Sequence, residues 1–253
     1  MKEKFKNTSN QEGAEEHFLK NLVKSYDDEQ IPLKIRKINL LERVNLPIPE
    51  TDTINKNNRK EIKEKIVERL HKSNMPLIMR FSGRSDEPGM PSCYIENEKN
   101  LDSALKQMED IFTRDLNVSH VILQRATPKE EISRKVSGRL IMYDDADDRN
   151  DEIIELYKGA RSTGILNSVD PSDPQFHRLI KPIGGFMRFE KKIDPNSTLN
   201  TSEVIDIVQK INEKRDAMKI VQSVLHESKK HSRSDYVFEF SYRDGDLIFT
   251  DID

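Results

Sequence analysis

The stretch that decides the fold of this chain is Leu77-Ile78-Met79-Arg80-Phe81-Ser82-Gly83-Arg84. Its three leading apolar residues are typical of a buried β-strand, and we expect that strand to end at Arg80. A polar loop over residues 82–90 follows, with serine hydroxyls and backbone N–H groups that can bind a phosphate. The planar guanidinium group of Arg80 also suits phosphate oxygens. The segment therefore predicts a phosphate site or, in the plainer alternative, an ordinary surface loop.

The C-terminal segment 236–253 is predicted to be a β-hairpin with carboxylates on both arms. Glu239 stands on the first arm between two phenylalanines, which strand alternation places on the opposite face. Asp251 stands on the second arm. A two-residue turn would put these acids on opposite faces, whereas a three-residue turn or a bulge at 243–245 would put them on the same face. On one face they could bind Mg²⁺; otherwise the segment is an edge hairpin with solvated acids.

Composition narrows the classes of protein to which the chain can belong. Its 253 residues are 34% hydrophobic and 34% charged, with a formal net charge of −3. This balance argues against a general nucleic-acid binder, which needs a basic surplus on one face. The single cysteine, Cys93, excludes an internal disulfide. No apolar run approaches the ~20 residues that span a bilayer, and the N-terminus lacks a signal-peptide pattern. We expect a cytoplasmic protein without membrane contacts.

The order of elements predicts the fold class. Residues 1–30 are polar and are expected to form a flexible arm, with a surface helix as the alternative. Helical spacing of apolar residues indicates helices at 33–45, 57–72, 100–113 and 201–231. Apolar runs indicate strands at 75–80, 93–95, 118–125, 138–143, 153–157 and 185–190, before the hairpin. Runs of strands without intervening helices predict an α+β chain with largely antiparallel sheets and flanking helices.

Four segments, in order, resemble the ATP-grasp nucleotide-binding domain of phosphoenolpyruvate synthase, pyruvate phosphate dikinase and the rifampicin phosphotransferases. Residues 37–41 resemble the opening helix of that family, and Met79-Arg80-Phe81-Ser82 resembles its Val-Arg-Ser-Ser motif. Residues 121–124 resemble the hinge strand against which the adenine usually stacks, and Ser137-Gly138 resembles the start of the next strand. The resemblance covers roughly residues 33–253 and implies two lobes, at 31–120 and 121–253, with ATP and Mg²⁺ between them.

The resemblance also implies roles for individual residues. Lys37 and Arg80 would contact phosphates and act in catalysis, and the loop carrying Ser82, Gly83 and Arg84 would close as a lid. The backbone around Gln124 would bind the adenine. Glu239 and Asp251 would hold Mg²⁺. From the residues themselves, Lys158 ends a strand just before a glycine-containing loop and could line the phosphate or acceptor side.

The chain departs from the family pattern in the hairpin. The family has an aspartate where Val237 stands, a glutamine where Asp251 stands and an arginine where Asp253 stands. Aspartate is a competent Mg²⁺ ligand, but the last change replaces a positive charge with a negative one. The family continues into a phosphohistidine domain after this point. The resemblance therefore implies a standalone protein, a split enzyme or an excised domain.

The expected function is phosphoryl transfer from ATP to an acceptor, which would be a separate protein or a missing domain. One alternative is an ATP-grasp ligase that activates a carboxylate as an acyl phosphate, which an acceptor pocket near residues 158–164 would favour. The other is a degenerate nucleotide-sensing or interaction subunit, for which the substitutions at Val237 and Asp253 speak.

Overall fold

The computed structural model describes residues 4–73, 75–83, 92–114, 117–143, 152–159, 169–181, 187–190, 196–228 and 235–253, with side chains from residue 14 onward. These residues form six α-helices and ten strands in two sheets. Every strand pairing among them is antiparallel. The predicted α+β class with largely antiparallel sheets is therefore confirmed. None of the helices among the described residues is long and apolar enough to cross a membrane.

The first sheet has four strands in the order β1-β4-β2-β3. Its strands are β1 (Thr51–Asn55), β2 (Leu77–Gly83), β3 (Ser92–Ile95) and β4 (Val118–Arg125). Helices α3 (Arg59–Ser73) and α4 (Leu101–Arg114) cover one face. Side chains of both helices and of alternate strand positions form one apolar core, which includes Ile62, Ile66, Met79, Phe81, Met108 and Phe112.

The second sheet has six strands in the order β10-β9-β5-β6-β7-β8. Its strands are β5 (Val136–Tyr143), β6 (Glu152–Lys158), β7 (Phe176–Lys181), β8 (Arg188–Phe189), β9 (Asp235–Arg243) and β10 (Asp246–Ile252). Helices α5 (Thr201–Glu213) and α6 (Arg215–Glu227) pack on one face. Strand β9 alternates strictly, so that Phe238 and Phe240 are fully buried under these helices and Glu239 points to the other face.

The N-terminal segment is a helix, which corrects the expectation of a flexible arm over residues 1–30. Helix α1 spans Lys4–Tyr26, and its residues Leu22 and Tyr26 are buried in the core of the second sheet. The Tyr26 carbonyl accepts a hydrogen bond from the buried guanidinium group of Arg36. Because these contacts bury apolar surface, the helix is part of the folded body.

Helix α2 (Leu33–Arg43) lies between the two sheets. On one side Ile35 and Ile38 pack against Ile122 of β4, in the first sheet. On another side Leu40 and Leu41 belong to the core of the second sheet. The expected lobe boundary at residues 120 and 121 falls inside β4, which continues the first sheet to Arg125. The segment before β1 thus contacts both sheets.

Three further predictions need correction. Strand β2 does not end at Arg80 but continues to Gly83, so that Arg80 lies in mid-strand. The predicted strands do not include β7, whose His177 and Leu179 are buried. The helix expected at 201–231 is two helices, because Lys214 adopts φ −100° and ψ 4° at the break. Neither glycine nor proline marks that break in the sequence.

Candidate active site between the two sheets

A cavity of about 640 Å³ lies between the two sheets. That volume is in the range of small-molecule and cofactor sites. Strands of both sheets and the connection between β4 and β5 supply its walls, which are lined by Pro49, Ile78, Arg80, Ser92, Tyr94, Gln124, Arg125, Ala126, Thr127, Lys129, Ile132, Lys135, Ser241, Arg243, Asp246, Ile248 and Thr250. Five of these side chains are cationic and one is anionic. The cavity is therefore suited to a negatively charged ligand.

Arg80 reaches the cavity from the first sheet. It alternates along β2 with Met79 and Phe81, which are buried under α3 and α4. Burial lowers the pKa of the Arg80 guanidinium, and the charges of Asp251 and Glu239 oppose that shift. A charge effect of this kind requires the groups to be near each other. The predicted phosphate residue and the predicted metal ligands, which come from opposite sheets, are thus close enough for their charges to interact, but Arg80 lines the cavity whereas Glu239 and Asp251 do not.

The terminal hairpin places Glu239 and Asp251 on the same face. Its turn has two residues, Asp244 and Gly245, with φ values of 51° and 89°. A regular hydrogen-bonding ladder from this turn would put Glu239 and Asp251 on opposite faces of the hairpin. The register shifts between Phe249 and Asp251, however, because Thr250 forms a bulge, and Glu239 then pairs directly with Asp251. The bulge was expected at the turn and lies instead on the second arm.

Lys37 contacts the end of the hairpin and does not line the cavity. Its Nζ lies 2.5 Å from Asp253 Oδ1 and 3.7 Å from Asp251 Oδ1. Lys34, one helical turn earlier, lies 3.5 Å from Asp251 Oδ2. Burial acts to lower the pKa of Lys37, but Asp251 and Asp253 outweigh it and raise that pKa. The charge of Lys37 is therefore already compensated, and its contact with phosphate stays a prediction.

The pair of carboxylates fits Mg²⁺ better than it fits a transition metal. No group of three or more His, Cys, Asp or Glu side chains that could hold a metal ion occurs in the described part of the chain. Mg²⁺ is commonly bound by one or two carboxylates, with waters and substrate phosphates as its other ligands. Glu239 and Asp251 could supply such a pair, provided that Asp251 gives up its contacts with the lysines of α2.

Four more of the predicted site residues are Ser82, Gly83, Arg84 and Gln124. Ser82 and Gly83 end β2 and pair with β4, which corrects their assignment to a loop. Arg84 lies outside the described residues. Gln124 is buried in the cavity wall, where its Nε2 donates to Thr51 Oγ1 at 3.2 Å. The strand around Gln124 thus lines the cavity, as its expected position at the adenine requires.

Lys158 is not brought to the cavity. Its ammonium group forms an ion pair with Glu203 on α5, on the helix-covered side of the second sheet. Glu203 also completes the N-terminal capping box of α5 with Asn200. The contact of Lys158 therefore ties β6 to the start of α5, and the structure supports this helix-anchoring role for it.

The sequence did not single out Lys135 and Arg243, which line the cavity near Arg80. Burial and then the charges of Arg80 and Arg243 lower the pKa of Lys135 to about 8. Arg243 forms ion pairs with Glu131 and with Asp244, the latter at 3.6 Å. Lys135 is only two residues from Ser137, and that proximity to the matched Ser-Gly pair is the one signal in the sequence that could have found it.

A row of charged residues extends from the hairpin across the face of the second sheet that carries Glu239, with acids and arginines alternating from Glu239 onward. Successive cross-strand partners in this row are Asp251, Glu239, Arg139, Glu155 and Arg178. The buried carboxylate of Glu155 forms ion pairs with Arg139 and, at 3.5 Å, with Arg178. Arg139 is thus held between two acids, one of which is a predicted metal ligand.

Among known proteins, only solved structures are similar to this chain. No family model and no curated protein matches the chain. A RimK domain ATP-grasp protein from Sphaerobacter thermophilus is 13% identical over 85% of this chain and 56% of its own, with a TM-score of 0.41. D-alanine–D-alanine ligase from Helicobacter pylori is 12% identical over 90% of this chain and 54% of its own, with a TM-score of 0.45.

A third structure, N5-carboxyaminoimidazole synthase from Aspergillus clavatus, is 11% identical over 92% of this chain and 45% of its own, with a TM-score of 0.42. The chain spans about half the length of these proteins. None of the three is of the phosphoenolpyruvate synthase or pyruvate phosphate dikinase type. Similarity at this level concerns the fold alone.

Proposed function

We propose that this chain binds ATP with Mg²⁺ in the cavity between its sheets and passes the terminal phosphoryl group to an acceptor. One observation carries the proposal. Arg80 of the first sheet lies within range of the charges of Glu239 and Asp251, which are paired with each other in the second sheet. Phosphoryl transfer depends on positioning and on charge stabilisation, for which cations and metal-binding carboxylates are the usual groups.

Different side chains would bind the phosphates and the Mg²⁺ ion of the ligand. The guanidinium group of Arg80 can donate two parallel hydrogen bonds to phosphate oxygens. Glu239 and Asp251 would hold Mg²⁺, which neutralises charge on the phosphates when it is bound. Lys37 lies 3.7 Å from Asp251 but is paired with Asp253 at 2.5 Å, so it would reach the phosphates only if the pair with Asp253 also opened.

The apolar part of the cavity lining suits a purine base. Ile78, Ile132 and Ile248 supply apolar walls, and the chain from Gln124 to Thr127 supplies backbone groups. Tyr94 of β3 also lines the cavity, with its hydroxyl donating to the Thr127 carbonyl at 3.2 Å. Apolar walls with a few polar groups are what an aromatic base requires of its site.

The group that accepts the phosphoryl group is the next element of the proposal. Arg139 and Arg178 lie on the same sheet face as Glu239, and the side chain of Arg178 is 36% exposed. Guanidinium groups at that position favour an acceptor with a carboxylate, which phosphoryl transfer would convert into an acyl phosphate, as in a ligase. Transfer to a separate acceptor protein or domain shares the same first step.

A second candidate function is nucleotide sensing without catalysis. Lys34 and Lys37 already compensate the charge of Asp251, and Val237 stands where an additional carboxylate would strengthen the metal site. A chain in this state could bind a nucleotide through Arg80 and still turn over slowly or not at all.

The test measures ATP binding and turnover separately. ATP at a hundredfold excess over its Kd should stabilise the fold by about 2.7 kcal/mol, which a thermal shift detects, and EDTA should reduce the shift. Release of ADP would then be measured with mixtures of carboxylic acids, with hydroxylamine present to trap an acyl phosphate as a hydroxamate. Hydroxamate formation supports the ligase reaction. A shift without turnover supports sensing, and the absence of any shift overturns the proposal.

A further inference from the structure

We propose that Lys135 is an anion-binding residue of the cavity, which forms with Arg80 and Arg243 a subsite for the phosphate groups of the ligand. The inference deepens the proposed function and rests on it. Three elements from different parts of the chain build this subsite, namely β2, the connection between β4 and β5, and β9. No motif or periodicity in the sequence singled out Lys135.

The backbone of Lys135 is fixed on both sides. Its N–H donates to the Ile132 carbonyl at 3.1 Å, where the 3₁₀ helix Lys129–Arg134 ends. Its carbonyl accepts from the Gly159 N–H at 2.8 Å, across to the end of β6. Gly159 has a φ of 84°, which favours glycine there. The fixed backbone sets the point on the cavity wall from which the Lys135 side chain extends.

The charges around Lys135 are arranged in a way that favours a bound anion. Burial makes the ammonium form of Lys135 costly, and the nearby guanidinium groups of Arg80 and Arg243 add repulsion, so the pKa of Lys135 falls to about 8. An anion placed among the three groups would turn this repulsion into attraction. Such preorganised charge stabilises a phosphate more strongly than flexible surface lysines do.

A hydroxyl group in the same cavity supports the inference independently. Thr250, the bulge residue of β10, lines the cavity, and its Oγ1 is buried without a hydrogen-bond partner in the described part of the chain. Buried polar atoms are nearly always paired, so this unpaired oxygen indicates a missing partner, although it is itself covered from the cavity. A phosphate oxygen could accept a hydrogen bond from this hydroxyl once the Thr250 side chain turned towards the cavity.

The pH dependence of binding separates Lys135 from its neighbours. The charged groups that act on it are Arg80 on β2 and Arg243 on β9 with its partner Glu131, and Asp246 on β10 lines the same cavity. Guanidinium and carboxylate groups keep their charge between pH 7 and pH 9. Lys135 alone among these groups would lose its charge there. Because a bound phosphate requires the ammonium form, the affinity for ATP should fall as the pH rises through about 8.

The experiment compares three variants by isothermal titration with ATP and Mg²⁺ at pH 7, 8 and 9, and with tripolyphosphate at pH 7. Lys135→Met should weaken binding of both ligands about ten- to a hundredfold at pH 7. Lys135→Arg should bind at pH 7 like the unaltered protein and should lose less affinity by pH 9. Lys106→Met removes one exposed charge from α4, remote from the cavity, and serves as the control for net charge.

The outcomes distinguish this inference from the proposed function. If the unaltered protein binds ATP but Lys135→Met behaves like Lys106→Met, the subsite is wrong and the function stands. If the unaltered protein binds no ATP, the proposed function is wrong, and the inference that rests on it is wrong as well. A pH dependence that Lys135→Arg leaves unchanged would assign the titration to the ligand and would overturn the role of Lys135. Melting curves of each variant establish that the compared proteins are folded.

Discussion

Glu239 and Asp251 stand directly opposite each other on the terminal hairpin because a single residue, Thr250, bulges out of the second strand. With a two-residue turn at Asp244 and Gly245, a regular ladder would have set Thr250 against Glu239 and turned Asp251 to the helix-covered face. The bulge thus creates the paired carboxylates. β-Bulges often occur where a strand must redirect a side chain at a functional site.

The first prediction concerns the charge of Glu239. Glu239→Gln keeps the shape of the side chain but removes a metal-binding carboxylate. Because the metal acts mainly on charge that develops during transfer, turnover should fall about a hundredfold or more, whereas ATP affinity should change little. ADP release and ATP titration measure the two effects. Glu68→Gln, on the exposed side of α3, is the control. Full turnover in Glu239→Gln would contradict the metal site.

The second prediction concerns Arg80. Arg80→Ala removes the cation that the first sheet contributes to the cleft, so ATP affinity should fall about ten- to a hundredfold, since hydrogen bonds to charged groups contribute ~1.5–3 kcal/mol. Fluorescence or calorimetric titration measures the change. Arg188→Ala, on the short edge strand β8, removes an exposed arginine and should bind ATP as before. If Arg80→Ala unfolds the protein, Arg80 belongs to a structural ion network with Glu239 and Asp251.

Much of the scaffold could be predicted because its signals are local. Strand β4 runs over Val118–Arg125, as the apolar residues of that stretch indicated. The alternation of side chains along β9 predicts that Phe238 and Phe240 lie on one face and Glu239 on the other, whichever strands pair with β9. Arg80 stood out because a lone cation follows a buried apolar run. Each of these signals lies within one element, where side-chain period decides the face.

The rest depends on contacts between elements, which a single sequence does not display. The break at Lys214 carries no glycine or proline. The bulge at Thr250 depends on which strand pairs with which. Lys135 acquires its unusual environment from Arg80 and Arg243, which are distant in the sequence. Its own neighbours in the chain, Arg134 and Val136, form no recognisable motif with it.

The third prediction concerns the ion pairs between α2 and the hairpin. Lys37→Met leaves Asp253 without its 2.5 Å partner and leaves only Lys34 near Asp251. Because Asp253 is half exposed, we expect a loss of only about 1–2 kcal/mol in the free energy of unfolding. Urea denaturation at pH 7 measures it. Lys60→Met, on the exposed side of α3, should cost less than about 0.5 kcal/mol.

The pH dependence of this loss has a definite sign. The pKa of Lys37 is raised in the folded protein, with Asp251 and Asp253 outweighing the effect of burial. Its contribution to stability is therefore complete below the ordinary lysine pKa of about 10.4 and is lost as the pH rises through the folded value. The difference between the unaltered protein and Lys37→Met should stay constant from pH 6 to pH 9 and shrink above about pH 10.5. A difference that already shrinks below pH 9 would contradict this pairing.

The last prediction concerns Gly138, which the sequence analysis matched to the Ser-Gly pair of a family motif and for which the structure gives a packing reason. A Cβ atom at this position would lie 2.3 Å from Cζ of Phe240 and 2.9 Å from Cδ2 of Leu156. Gly138→Ala should therefore lower the free energy of unfolding by about 1–3 kcal/mol through overpacking of the second-sheet core, as urea denaturation would show.

A double-mutant cycle identifies the contact that causes the loss. Phe240→Leu alone should destabilise the core by leaving a cavity, but it also clears the space that a Cβ at position 138 needs. The double variant Gly138→Ala with Phe240→Leu should therefore be more stable than the sum of the single losses implies, by 0.5 kcal/mol or more. Additive losses would show that Gly138 is needed for another reason. ATP affinity of the folded Gly138→Ala protein should be unchanged, because Phe240 lies on the face away from the cleft.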